Sequence, residues 1–186
     1  MKDDLAMRDR LLSQGELHEG YHPEMEALHL KHAAELDKMI DEIGYPTINK
    51  VGREASDAAW LVIQHSISSP GFMRKCLRLL EQEVSQKKVD PKHLAYLSDR
   101  IAVFEGRPQK YGTQYDWDDT GVLSPNHMDD IEQVNQRRAD IGLGTIAENT
   151  QLIRDRTERE GGRPPSDLAK RNLAYEEWRR KVGWIS

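Results

Sequence analysis

Apolar residues recur at helical spacing through most of this chain. From His22 to Ile43 they fall at Met25, Leu28, Ala33, Leu36, Met39, Ile40 and Ile43, with Pro23 near the start, where its missing amide proton is harmless, and Gly44-Tyr45-Pro46-Thr47 as the stop. Glu54 to Ile67 is apolar on nearly every face, as a central buried helix would be. After the break at Ser69-Pro70-Gly71, the run Phe72 to Lys87 puts Phe72, Met73, Cys76, Leu79, Leu80 and Val84 on one side. Asp90-Pro91 reads as an N-cap with proline at the first helical position, opening a helix that carries Leu94, Leu97, Ile101 and Phe104 and ends at Gly106. A capped helix is predicted over Met128 to Ile141, ended by glycines, and a last one from about Leu168 to Val182 after the linker Gly161 to Asp167.

No segment keeps a period of two, so the expected fold is all-α: a multi-helix domain with an irregular polar loop and a C-terminal helical tail, without a repeat or a sheet able to carry a nucleotide fold. The predicted core is Trp60, Leu61, Val62, Leu79, Leu80, Leu94, Leu97, Ile101 and Phe104. The expected organisation is a polar segment over 1–20, the helical domain over 21–153, and a linker with the C-terminal helix over 154–186.

Charge narrows the partners. The chain has 186 residues and a formal charge of −5, which argues against binding nucleic acid through its phosphates. Thr150 to Ser186 departs from the rest, with nine Lys or Arg against six Asp or Glu, and its Trp178, Val182, Trp184 and Ile185 are too apolar for a free end. That tail is expected to dock on the acidic body or to self-associate. Cys76, the single cysteine, permits no internal disulfide, and neither a signal peptide nor a run long enough for a membrane span is visible. A cytoplasmic protein with no membrane partner is expected.

Against this helical background Gly106 to Asp119, "GRPQKYGTQYDWDD", is unlike a solvated loop. It holds two glutamines, two tyrosines, a threonine, a tryptophan and three aspartates, the mixture of rings and amides that lines a pocket. It follows a helix on which Asp99 flanks the apolar face between Ala95 and Ala102, while Arg100 projects further round. Gly112 allows a sharp turn among Gln109, Tyr111, Thr113 and Gln114. Earlier in the chain, Gln64 and His65 close the most apolar helix, with His65 continuing the stripe of Ala58, Leu61 and Val62. The expectation is that the loop folds back beside Asp99, Arg100, Gln64 and His65.

These strings, with Gly44-x-Pro46-Thr47, Val51-Gly52, Gln64-His65, Leu97-x-Asp99-Arg100, Gln109-x-Tyr111-Gly112-Thr113-Gln114 and Arg137-Arg138-x-x-x-Gly142-Leu143 in order, resemble an uncharacterised bacterial domain family of unknown function. The resemblance covers about Gly44 to Leu143 and points to Gln64, His65, Asp99, Arg100, Gln109, Tyr111, Gly112, Thr113 and Gln114. Asn135 departs from it, standing where the family often has aspartate.

Other motifs are incomplete. Asp116, Asp118, Thr120 and Gly121 match the start of a calcium loop, but position twelve is His127 instead of a bidentate glutamate. Glu26-x-x-His29 has the spacing of half a di-iron site with no second copy, and reads as surface; His29 and His32 make no zinc motif. No metal or cofactor is therefore predicted, and a divalent metal site using His65 with Asp99 or the Asp116 to Asp119 cluster ranks below the two readings that follow. The expected function is acid–base catalysis on a polar or anionic small molecule or peptide, with His65 as proton acceptor, Asp99 as its orienting carboxylate or second acid–base group, Arg100 as anion anchor, and Gln64, Gln109, Tyr111, Thr113 and Gln114 in binding. The alternative is a non-catalytic ligand-binding or protein-interaction module in which the same groups form a structural network.

Overall fold

In the computed structural model, which describes residues 2–13 and 21–186, the apolar periodicity becomes a helical protein with one small sheet. The chain divides into two units, Met1–Asp90 and Pro91–Ser186. The first holds α1 (Lys2–Ser13), α2 (Pro23–Ile43), α3 (Ile48–Val51), α4 (Arg53–His65) and α5 (Pro70–Ser85). The second holds α6 (Pro91–Phe104), β1 (Tyr115–Trp117), β2 (Leu123–Pro125), α7 (Ile131–Asp140), α8 (Ile146–Arg159) and α9 (Leu168–Val182). Residues 14–20 of the expected polar N-terminal segment lie outside the described residues.

In the first unit α2 packs on α1 and α4, and α4 on α3. His22 caps α2, its Nδ1 accepting from the Glu24 amide. Gly44 ends that helix at φ 72°, a conformation in which a side chain would also press on Lys50 Nζ, 3.1 Å from an added Cβ. Lys50 uses that nitrogen to bond the carbonyls of Ile43 and Tyr45. The glycine and threonine of Gly44-x-Pro46-Thr47 are thus a chain reversal with Tyr45 and Thr47 buried. Ala33, Leu36 and Ile40 of α2, Ala59 and Ile63 of α4, and Phe72, Met73, Cys76 and Leu80 of α5 are buried, and Lys75 joins α5 to α2 through Asp37 and Asp41. Each large side chain of this set contributes about 1.5–3 kcal/mol by leaving water.

In the second unit Ala95, Leu97, Asp99, Ile101 and Ala102 form the buried face of α6, and Val134 and Arg138 that of α7. The two strands pair antiparallel, Asp116 opposite Ser124, around a turn closed by Asp118. One Asp118 oxygen accepts from Thr120 N, Thr120 Oγ1 and Val122 N, the other from Ser124 Oγ, and these bonds pull its carboxyl down to about 2. The acidic cluster once matched to a calcium loop is, at Asp118, a self-satisfied hairpin turn. Among the described residues no helix is long and apolar enough to cross a membrane.

Several expectations change. The helix predicted from Met128 starts at Ile131, because the Asp130 side chain accepts from the amides of Glu132 and Gln133 and caps it there. Helix α8 is absent from the periodicity reading: its face is weakly apolar, yet Thr145 and Glu148 close a full capping box at its start. Of the predicted core, Leu80, Leu97 and Ile101 are fully buried, whereas Trp60, Leu61, Val62, Leu79, Leu94 and Phe104 are half-buried, and Ile63, Met73 and Cys76 take the deepest places.

Burial pushes the Cys76 thiol up to about 12, and the side chain is sealed from solvent. The native protein is expected to resist Ellman's reagent at pH 8 and to release one equivalent of thiolate in denaturant. Prompt reaction of the folded chain would place Cys76 outside the core.

Candidate functional site

The polar loop of the second unit is organised by one carboxylate. Asp99 is fully buried on α6 and accepts from the amides of Lys110 (2.8 Å), Tyr111 (3.1 and 3.2 Å) and Thr113 (2.9 Å), and from the Thr113 hydroxyl (3.0 Å). Gly112 lets three amides converge on one acceptor: it sits at φ 59°, and an added Cβ would lie 2.5 Å from Ile146 Cδ1. Burial pushes the Asp99 carboxyl above its ordinary value, while the loop amides and the Thr113 hydroxyl pull it back.

The loop's carbonyls are gathered by the Arg137-Arg138 pair of α7. Arg138, 2% exposed, donates Nε to Gly144 O at 2.5 Å and Nη1 to Tyr111 O at 2.7 Å and Gly112 O at 3.5 Å; Arg137 reaches Lys110 O and Asp129. Burial lowers the Arg138 guanidinium below its usual range. Gln109 is fully buried and spends its amide on the backbone: Nε2 donates to Gln114 O and Asn126 O, and Oε1 accepts from Gln114 N. Asn135 accepts from Ile146 N and so caps α8 with a carbonyl oxygen.

Among the residues named from sequence, the second unit therefore brings Asp99, Arg100, Gln109, Tyr111, Thr113 and Gln114 together. Arg100 Nε donates to Gln114 Oε1 at 3.1 Å, Gln114 Nε2 to Thr113 Oγ1 at 3.0 Å, and that hydroxyl to Asp99. Burial also lowers the Arg100 guanidinium and raises the Tyr111 phenol. Gln109 and the Tyr111 backbone serve the loop itself, and the Gln114 amide is oriented by both neighbours.

Gln64 and His65 lie in the first unit, at the end of α4, where Gln64 is buried and His65 half-buried. The His65 ring stands 4.9 Å from that of His29 on α2, tilted by 44°. Tyr21 Oη lies 2.5 Å from His29 Nδ1 and 3.4 Å from the His65 carbonyl oxygen. Tyr21 has one hydroxyl proton: given to the His65 carbonyl, it leaves the phenol oxygen to accept from His29 Nδ1, and given to Nδ1 it makes that nitrogen the acceptor. The surface reading of Glu26-x-x-His29 is overturned: His29 is buried, and Glu26 is half-buried and accepts from Ser68 Oγ just beyond α4. Sequence reasoning missed Tyr21 and His29. Their signal was the histidine's place on the Leu36 and Ile40 side of α2, hidden by the charged residues around it.

Two open depressions on the second unit, of about 530 and 450 Å³, run along α8 and are lined by none of the residues expected to bind or react with a substrate. A family profile matches residues 7–159. The chain belongs to the DUF6624 family of unknown function. No curated protein and no solved structure matches it significantly. The DUF6624 match takes in both polar clusters and stops at Arg159, the last residue of α8, so that α9 lies beyond it.

Replacing Asp99 by Asn turns an acceptor oxygen into a donor facing loop amides, and should cost about 1–3 kcal/mol in chemical denaturation. Thr113→Val removes one of the same bonds and should cost about 1 kcal/mol. The double variant should lose less than the sum, because both remove one shared interaction. Full additivity, or a neutral Asp99→Asn, would contradict the anchoring geometry.

Proposed function

We propose that this DUF6624 chain is a small acid–base enzyme acting on a polar or anionic small molecule or peptide, with its proton chemistry in the first unit. The observation that carries the reading is the Tyr21–His29–His65 cluster: a phenol hydroxyl against one imidazole, and a second imidazole 4.9 Å from the first. A charge on either of two imidazoles this close disfavours a charge on the other, and the ring left neutral is the one that can accept a proton. His65 is the proton acceptor. His29, hydrogen-bonded to Tyr21, orients it and sets its basicity, and Glu26 with Ser68 supplies the polar edge of the cluster. Arg100 and the Gln114 amide are proposed separately as an anion-binding pair of the second unit.

A second reading has its own observation. The Asp99 carboxylate is spent on four donors of its own loop, as expected of a structural network in a non-catalytic binding module. We assign Asp99 to holding the loop, so it takes no proton in the proposed reaction. The proposed setting is the bacterial cytoplasm, supported by the resemblance and by the single thiol of Cys76. Self-association through α9 has less reason than the sequence suggested, since Trp184 is buried and Trp178 packs on Phe104, leaving exposed Leu173 as its support.

Proton NMR of the imidazole Cε1–H signals tests the cluster. His29 and His65 should titrate in two separated steps in the wild type, and His65 should return to one ordinary step in His29→Gln. In a screen of p-nitrophenyl esters, p-nitrophenyl phosphate and dipeptide anilides, His65→Gln should abolish any turnover, and Tyr21→Phe should shift one limb of its pH profile. Independent titration of the two rings, or full turnover by His65→Gln, would reject the reading.

A further inference from the structure

The matched family region ends with α8, yet the polar loop of the second unit is held at both ends by α9, which follows it. At the near end Phe104, the last residue of α6, packs against Trp178 (ring centroids 5.5 Å apart), Trp184 (4.9 Å) and Tyr175 (6.4 Å). Arg179 Nη1 donates to the carbonyls of Phe104 (3.1 Å) and Val103 (3.4 Å), two of the last acceptors of α6, which need partners because no further turn supplies them. At the far end Arg171 forms a two-pronged ion pair with Asp116 on β1, at 2.7 and 2.8 Å. Between these grips lies the whole stretch from Glu105 to Tyr115, including the Gln109-x-Tyr111-Gly112-Thr113-Gln114 motif.

Three features make this attachment separable from the rest of the unit. Helix α9 is joined to α8 by Gly161 to Asp167, a segment with two glycines and two prolines that forms no helix. Arg179 is the sole buried residue within α9, and Leu173 on it is 67% exposed. Its Arg171–Asp116 grip is about one-third exposed on both sides and is therefore weakened by salt. Elements with few buried contacts open at lower cost than the core around them.

We propose that α9 is a releasable strap over the polar loop. Docked, it fixes the two flanks of the loop at Phe104 and Asp116; released, it frees residues 104–108 and 115–117 while Asp99, α7 and α8 keep the Gln109 to Gln114 motif in place. The order of the motif's flanks is then set by a helix outside the matched family region, and this holds whether the second unit binds a catalytic substrate or another ligand.

Hydrogen exchange read by mass spectrometry on the full chain tests this, using the wild type, Arg171→Gln and Trp178→Ala. In the wild type, peptides from 104–108, from 115–117 and from α9 should exchange together, at least ten-fold faster than those of α7. Both variants should accelerate these flanking and α9 peptides by similar factors, three-fold or more, with α7 unchanged, and added salt should do the same for the wild type. The proposal is overturned if both flanks keep their protection while α9 loses it, if neither variant loosens α9, or if α7 accelerates equally, which would make α9 part of the unit's core.

Discussion

A carboxylate without water must find donors elsewhere, and in the second unit Asp99 finds them in the backbone of a single loop. Three amides and a hydroxyl within four residues point at one side chain, which is achievable only because Gly112 takes a left-handed conformation between Tyr111 and Thr113. Turning those amides inward leaves the paired carbonyls facing the other way. Arg137 and Arg138 collect them, and Gln109 closes the remainder through its own amide. The loop's shape is thus the solution to a hydrogen-bonding requirement, and the motif residues are the terms of that solution.

The two polar clusters differ in what they leave available for chemistry. Asp99, Gln109 and Arg138 spend their capacity on main-chain groups, so replacing any of them alters the loop before it alters a ligand contact. The His29 and His65 rings stand 4.9 Å apart, so a charge on one is felt directly by the other. Imidazole is the side chain suited to proton transfer near neutral pH, which is why the proposed chemistry is assigned to that pair and loop anchoring to Asp99.

Much of the helical architecture is legible in the order of side chains. The α2 and α9 boundaries follow from Pro23, Gly44, the Gly161–Asp167 linker and regular apolar spacing. Asp99 stands out as a buried polar residue because Ala95 and Ala102 flank it, and both are buried with it. Other features were hidden for identifiable reasons. Helix α8 is held by a capping box and by the hooks from Asn149 and Thr150 to Tyr115, so its apolar pattern is faint. Arg137 and Arg138 look like solvated charge, and only the loop's unpaired carbonyls explain why one of them is buried. His29 takes its importance from Tyr21 and from His65 on another helix, contacts that no local spacing encodes.

Whether one carboxyl group holds the loop can be read from the amide protons of Lys110, Tyr111 and Thr113, followed by NMR as the pH is lowered. If Asp99 is their common acceptor, all three should move upfield along one curve, with a shared midpoint above the ordinary aspartate value of 3.8, and the curve should vanish in Asp99→Asn. Three amides that titrate with different midpoints, or that keep their behaviour in Asp99→Asn, would contradict it.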